Sequence, residues 1–317
     1  MIFFNDNGGT AGVKVFNAGM RGHKTEYYEG GHRAACFLRW PAGKLRRPAD
    51  RDSLTEVQDL APTLLELCGL SIPKEVHFDG MSLAPLLVGK TDTLPDRMVV
   101  VQYGQRPEKW EGVVMWNKWR PVAGKELYDL RSDPGQKTNV AAEHPDVLKR
   151  MRDHYEKWWA GVAPHLDDLS PISIGSDKEN PVCLSAADWA NVYCDNMNNL
   201  RSGLNRNGPW HLRIEQDGTY EIALRRWPKE ADAAISAGVP AFRAVDGGLP
   251  PGKALPIVRA RLKIGDVDET KPVAAGAKEV AFTVKLKAGT RTRMQSWFYD
   301  AAGKELCGAY FAYVNRK

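Results

Sequence analysis

The chain has 317 residues, of which 43% are hydrophobic and 26% charged, and its mean hydropathy is −0.43. These values exclude a peptide hormone, a disulfide knot and a disordered chain, and suit two or three domains with sizeable cores. The 44 basic and 39 acidic residues leave a net charge of +5 spread along the chain, which gives no reason to expect nucleic acid. No apolar stretch approaches the roughly 20 residues of a membrane helix, so no membrane partner is expected.

Met1 to Phe4 reads as the end of a buried strand running straight into Asn5-Asp6-Asn7-Gly8-Gly9, with no charged n-region or cleavage site of a signal peptide. A strand that opens one step before a polar loop leads us to expect the back part of a longer protein. The loop runs to about Gly31, and Ala34 to Trp40 reads as a second strand closed by Pro41. Ser53-Leu54-Thr55-Glu56 has the spacing of a capping box, followed by Leu60, Leu64, Leu65 and Leu67 at helical spacing and a Gly69 stop, which predicts a helix over 54–68.

From Leu94 onward, Met98 to Gln102, Gly112 to Trp116 and Glu126 to Asp129 predict a small antiparallel sheet. Pro145 to Trp159 predicts a helix whose face of Val147, Leu148, Met151, Tyr155 and Trp158 packs on that sheet. Prolines 164, 171 and 181 with Gly175 mark a linker. Beyond it the apolar period is two, with an Asp217-Gly218 hairpin turn between Leu212/Ile214 and Tyr220/Ile222/Leu224, and further alternation at 280–286, 297–299 and 309–314. The expected organisation is a partial α/β layer (1–93), a small antiparallel α+β subdomain (94–163), a linker (164–181) and an all-β, sandwich-like domain (182–317).

The five cysteines, at 36, 68, 183, 194 and 307, are widely spaced and form no C-x-x-C pair, so neither a zinc site nor a disulfide framework is expected. Cys183 and Cys194 could pair across a loop in an oxidising compartment, and Cys36 reads as a core-strand residue. Asp6 and Asn7, a carboxylate beside an amide carbonyl with two glycines following, offer the oxygen that a hard divalent cation prefers. Taken alone, the same five residues read more readily as a simple turn.

The surroundings decide between these. Gly22-His23-Lys24 followed by Tyr28-Glu29-Gly30-Gly31-His32-Arg33 and Trp40-Pro41-Ala42-Gly43 resembles the sulfatase family, whose chains carry Asp-Asn-Gly, Gly-x-Lys, Tyr-Glu-Gly-Gly-x-Arg and Trp-Pro-Gly in that order. Phe78-Asp79-Gly80-Met81-Ser82-Leu83 and Glu126-Leu127-Tyr128-Asp129-Leu130 with Asp133-Pro134 and Asn139 resemble its two later signatures. The resemblance implies an alkaline-phosphatase-like fold, an arylsulfatase-like hydrolase of sulfate esters, and a sulfated small molecule or sulfated carbohydrate as substrate. It also implies Ca²⁺, or Mg²⁺, held by Asp6 and Asn7, sulfate contact by Lys24, and a periplasmic or secreted location. His23, next to Lys24, reads as a rim residue within reach of substrate, and Glu29 and Arg33 read as a buried structural pair.

The family's nucleophile, a formylglycine made from Cys or Ser in C/S-x-P/A-x-R, has no counterpart among the five cysteines. The nearest, Cys36, has Arg39 three residues on and Trp40 four on. Without a nucleophile there is no covalent step, so this chain by itself is expected to be inactive. Two rival readings stay open: a phosphonate or phosphate monoester hydrolase of the same superfamily, and a non-catalytic carbohydrate-binding protein. The second would use Trp210 beside Asn198, Asn199, Asn205 and Asn207 to stack on sugar, whereas Trp227-Pro228 would dock on the sulfatase-like part.

Overall fold

The computed structural model describes residues 1–245 and 247–317, which fall into two compact units, Met1–Leu166 and Asp167–Lys317. In the first, β1 (Ile2–Phe4) pairs antiparallel with β2 (Cys36–Leu38), Ile2 opposite Leu38. The strand expected over 34–40 shortens to three residues because its partner is only three long. Cys36 on it is exposed, not a core residue. Between the two strands the chain forms the polar loop and one turn of helix, α1 (Glu29–His32).

The helix expected from Leu54 is observed as α2 (Leu60–Leu67), entered through a 3-10 turn at Val57–Asp59. The capping box lies three residues later than its sequence signature. The Glu56 side chain accepts from the Asp59 amide and the Asp59 carboxylate accepts from the Glu56 amide. Tertiary contacts select this register: Asp59 is fully buried and takes a two-pronged bond from Arg97, at 2.8 and 2.5 Å. Asp59 also accepts from the Met81 amide, and α3 (Ala84–Leu87) follows.

β3 (Met98–Gln102), β4 (Gly112–Trp116), β5 (Trp119–Val122) and β6 (Glu126–Asp129) form an antiparallel meander in chain order. β5 has no clear sequence signal because Pro121 interrupts its run. On this sheet lies α4 (Pro145–Val162), with Met151 and Tyr155 buried and Val147, Leu148 and Trp158 beside them, against Val114 and Leu127. No helix among the described residues is long and apolar enough to cross a membrane.

The second unit contains β7 (Ile172–Ile174), β8 (Val182–Ser185), α5 (Met197–Ser202), β9 (Trp210–Ile214), β10 (Gly218–Arg225) and a short ribbon of β11 (Phe242–Arg243) and β12 (Gly248–Leu249). Then come β13 (Arg259–Ile264), β14 (Val267–Pro272), β15 (Val280–Leu286), β16 (Arg291–Tyr299), β17 (Glu305–Cys307) and β18 (Phe311–Arg316). They build two sheets, β15-β10-β18-β8 and β14-β13-β16-β9-β7 with β17 added to β16. The inward residues of both sheets form one core around Trp189, Trp210, Tyr220, Phe282, Phe298 and Tyr310.

Three expectations change here. Residues 172–181 are not linker, since β7 pairs parallel with β9 and Asn180 donates to the Arg316 carbonyl. Asp217-Gly218 does not close a hairpin. It carries the chain from β9 in one sheet to β10 in the other, and Asp217 accepts from the Ala288 amide. Period two is the same for strands paired in one sheet and strands facing each other across a sandwich, so alternation cannot separate them. Finally, Cys183 is exposed and Cys194 buried, and both are free thiols.

Candidate functional site

The loop after β1 is fixed by backbone contacts that only glycine permits. The Gly8 amide donates to the Gly31 carbonyl at 3.0 Å, and the Lys24 amide to the Gly9 carbonyl at 2.9 Å. A Cβ on Gly8 would lie 1.8 Å from the Gly30 oxygen, one on Gly31 1.9 Å from the Glu26 oxygen, and one on Gly30 2.3 Å from the Gly22 oxygen. Each distance is far inside atomic contact, so the Asn5–Gly9 turn and the 22–31 loop interlock main chain to main chain.

That interlock puts Asp6, Asn7 and Lys24 on the wall of one cavity of about 590 Å³, with Tyr27, His32 and Glu56 also lining it. Asn7 Nδ2 donates to Asp6 Oδ2 at 2.6 Å, which leaves the amide carbonyl and the second carboxylate oxygen of this pair unused by that bond. His23 is not on this wall. Its Nδ1 lies 2.8 Å from the Lys24 carbonyl and its Nε2 3.8 Å from Glu26, so it braces the lysine loop from the exposed side.

Beneath the loop, Glu29 is buried and accepts from Arg120 Nε at 2.8 Å, while the Glu29 amide donates to Gln136 Oε1. The expected Glu29–Arg33 pair is present at 3.6 Å, but the Arg33 side chain is 63% exposed. Arg120, on β5, is thus the buried partner, and nothing near it in sequence marks it. Arg21 continues the attachment, donating to the Tyr28 and Tyr128 hydroxyls, both of which donate to Glu126. Burial and the Glu126 carboxylate push the Tyr128 hydroxyl up to about 12. Two other signature residues are turn-builders: Asp133 accepts from the Lys137 and Thr138 amides, and Asn139 from those of Leu127 and Ala141.

Two titrating groups line the cavity with the loop residues. Burial lowers the pKa of His32 against the opposing pull of Glu29, which keeps the ring neutral, and its Nε2 has no hydrogen-bond partner. Burial, only partly offset by Arg97, pushes Glu56 up to about 7.

Asp6 and Asn7 place hard oxygen donors on one cavity wall, which suits Ca²⁺ or Mg²⁺ in kind. In number they fall short of a full shell, because no group of three or more His, Cys, Asp or Glu side chains able to hold a metal occurs among the described residues. The residues proposed above for sugar stacking do not form a site. Trp210 is fully buried with Nε1 bonded to the Ser185 carbonyl, and Asn207 donates to Glu305. Trp227 is likewise buried inside the second unit, Nε1 bonded to the Ala237 carbonyl.

Residues 23–159 match the family model described as N-sulphoglucosamine sulphohydrolase, C-terminal. The chain is similar to the uncharacterized sulfatase YdeN of Escherichia coli (strain K12), 24% identical over 218 residues, covering 56% of this chain and 38% of that one. It is also similar to an N-acetylgalactosamine-6-O-sulfatase of Bacteroides thetaiotaomicron, 28% identical over 150 residues, covering 43% of this chain and 29% of that one. A solved structure from work on glycosaminoglycan metabolism by Bacteroides thetaiotaomicron covers 50% of this chain and 38% of its own, with 26% identity and a TM-score of 0.42. Residues 23–159 are thus similar to the C-terminal part of sulfatases. The chain spans about a third of the length of the curated relatives it matches.

Two predictions follow from the scaffold. Arg120→Met leaves the Glu29 carboxylate buried without its strong partner and should destabilise the first unit by about 3 kcal/mol, read as an earlier urea transition of the full chain. Adding Glu29→Gln should recover part of that loss. For Glu56 the folded pKa lies above the unfolded one, so the stability it contributes is complete below about pH 4.5 and lost as pH rises through about 7. Glu56→Gln should flatten this fall and raise stability at pH 8 by about 1–2 kcal/mol. Thermal unfolding across pH 4–8 measures it, and a parallel pH dependence in both proteins would exclude Glu56 as its source.

Proposed function

We propose that the first unit supplies one edge of the active site of a sulfatase acting on sulfate esters, with a sulfated carbohydrate as the substrate class. The observation that supports this reading is that Asp6, Asn7 and Lys24 line a single cavity. Asp6 would contribute charge, and Asn7 a neutral oxygen, to a bound Ca²⁺ or Mg²⁺. When bound, such an ion supplies positive charge that polarises the ester. Lys24, held by its own amide to Gly9, places an ammonium on the same wall, where it can neutralise sulfate oxygens as charge moves to the leaving oxygen. Neutral His32 and the raised pKa of Glu56 limit the negative charge that these two groups add to that of Asp6 and Glu26 around the lysine at mildly acidic pH. The carbohydrate class draws support from the N-acetylgalactosamine-6-O-sulfatase relative.

None of the five cysteines lies in the C/S-x-P/A-x-R segment from which family members make their nucleophile. The cations of this edge therefore have no covalent step to serve within the 317 residues. Removing a member of a catalytic unit commonly costs several orders of magnitude.

Calorimetric titration of the full chain with Ca²⁺ should detect binding that Asp6→Ala weakens at least tenfold, and p-nitrophenyl sulfate should not be turned over. Ca²⁺ affinity unchanged in Asp6→Ala would remove the metal assignment. Sulfate release by the chain itself, lost in Lys24→Ala, would show that another residue here acts as nucleophile. Preferential binding of phosphate over sulfate, with the same dependence on Lys24, would favour the phosphate-ester alternative.

A further inference from the structure

The two sheets of the second unit present different chemistry to solvent. On β15 the outward residues are Ala281, Thr283 and Lys285, and on β10 Glu221 is paired with Lys317 at 2.9 Å, so that face is close to neutral. The other sheet points Arg259, Arg261 and Lys263 outward from β13, Arg291 and Arg293 from β16, and His211 and Arg213 from β9, alternating with buried Ala260, Leu262, Ile264, Met294, Trp210, Leu212 and Ile214. The short runs Arg259-Ala260-Arg261-Leu262-Lys263 and Arg291-Thr292-Arg293 each show only part of this concentration. The whole appears only when three strands are brought into register.

The register brings basic side chains face to face. Arg291 stands directly opposite Arg213, and Arg293 directly opposite His211. Like charges in facing positions of an antiparallel pair destabilise it. This applies to Arg291 opposite Arg213, where Glu215 relieves it, whereas the lowered pKa of His211 keeps that ring neutral opposite Arg293. Two of the cations are neutralised locally, Arg213 by Glu215 and Arg261 by Asp268, each at 2.6 Å. Lys263, Arg291 and Arg293 enter no ion pair among the described residues. Their charge is felt: burial first, then Arg293, lowers the pKa of His211.

These three cations line one groove of about 590 Å³, together with His211, Thr292 and Gln295. Asp167 and Asp168 also line it and are themselves engaged in other interactions. Side chains two apart on a strand repeat every ~6.7 Å and neighbouring strands lie ~4.8 Å apart, so the free cations form a flat, spaced array. Lys263 faces Gln295 across the ladder, and the next rows pair Arg261 with Trp297 and Arg259 with Tyr299, which adds neutral hydrogen-bonding groups and ring faces along the same line. Spaced positive charge interleaved with neutral polar and aromatic groups suits a chain of sugars bearing separated sulfates. A nucleic acid would instead call for a continuous basic track, whereas this array is short and its cations are spaced by neutral groups.

We propose that this outward sheet face is a docking surface for a sulfated polysaccharide, whose sulfate groups are held by Lys263, Arg291 and Arg293. The inference rests on the reading of the first unit as a sulfate-ester site for its choice of sulfate, but uses none of that unit's residues.

The test is binding of the full chain to dextran sulfate and to uncharged dextran. The parent should bind dextran sulfate, with affinity falling steeply as salt rises, and should ignore dextran. The triple variant Lys263→Ser, Arg291→Ser, Arg293→Ser should bind at least tenfold more weakly with a shallower salt dependence, while Lys285→Ser with Lys317→Ser on the other sheet should bind like the parent. Thermal unfolding checks that both remain folded, and the single variants Arg291→Gln and Arg293→Gln should each give part of the loss. Parent-like affinity in a folded triple variant would overturn the proposal. So would duplex DNA bound as tightly, with the same dependence on the three residues. Asp6→Ala and Lys24→Ala should leave this binding unchanged, so failure of the first unit's site and failure of this surface are read separately.

Discussion

The first unit depends on a main-chain contact. Gly8 meets Gly31 at hydrogen-bond distance, and the oxygens of Gly22, Glu26 and Gly30 occupy the space where side chains on Gly30, Gly31 and Gly8 would begin. Glycine is conformationally expensive to order, yet here no other residue can bring the two loops together. Everything attributed to the site follows from that closeness. Asp6 and Asn7 leave the end of β1, Lys24 lies further along the same loop, and they share a wall because the backbones between them are locked.

A second layer holds the lock against the sheet. Glu29, at the start of α1, is buried and must be paired, and Arg120 reaches it from β5. Asp59, buried in the turn before α2, is paired with Arg97 in the same way. In both cases the arginine comes from the β-rich part of the unit and the carboxylate from the loops and helices that carry the site. Breaking one such pair strands a charge, so the arrangement fixes which loop geometry the sheet accepts. The neighbouring Tyr28, Tyr128 and Glu126 hydrogen bonds with Arg21 serve the same attachment without an isolated buried charge.

Much of this was legible in sequence where local chemistry and final role coincide. The Asn-Asp-Asn-Gly-Gly segment announces a polar turn carrying Asp6 and Asn7, and the spacing of Val147, Leu148, Met151, Tyr155 and Trp158 announces a helix lying on a sheet. What stayed hidden depends on partners distant in the chain. Ser53 and Glu56 satisfy the capping pattern, but burial of Asp59 against Arg97 draws the cap to Glu56. Trp210 beside several asparagines resembles a sugar platform until the alternation of β9 sets the indole on the inward face, in the core between the sheets. Asp217-Gly218 has the chemistry of a hairpin, and only the sheet order shows that it crosses the sandwich. The cationic face is the clearest case, because Lys263, Arg291 and Arg293 are unremarkable alternating residues until register sets them side by side.

The central claim is that the glycine interlock, not the loop sequences separately, creates the site. Residue-resolved amide hydrogen exchange on the full chain tests it most directly. The Gly8, Lys24 and Gly30 amides, each bonded to a carbonyl across the interlock, should be protected together. Gly31→Ala should release all three while amides of the second unit keep their protection. Exchange of these three amides at free-loop rates in the unaltered chain, or their continued protection in Gly31→Ala, would contradict the account.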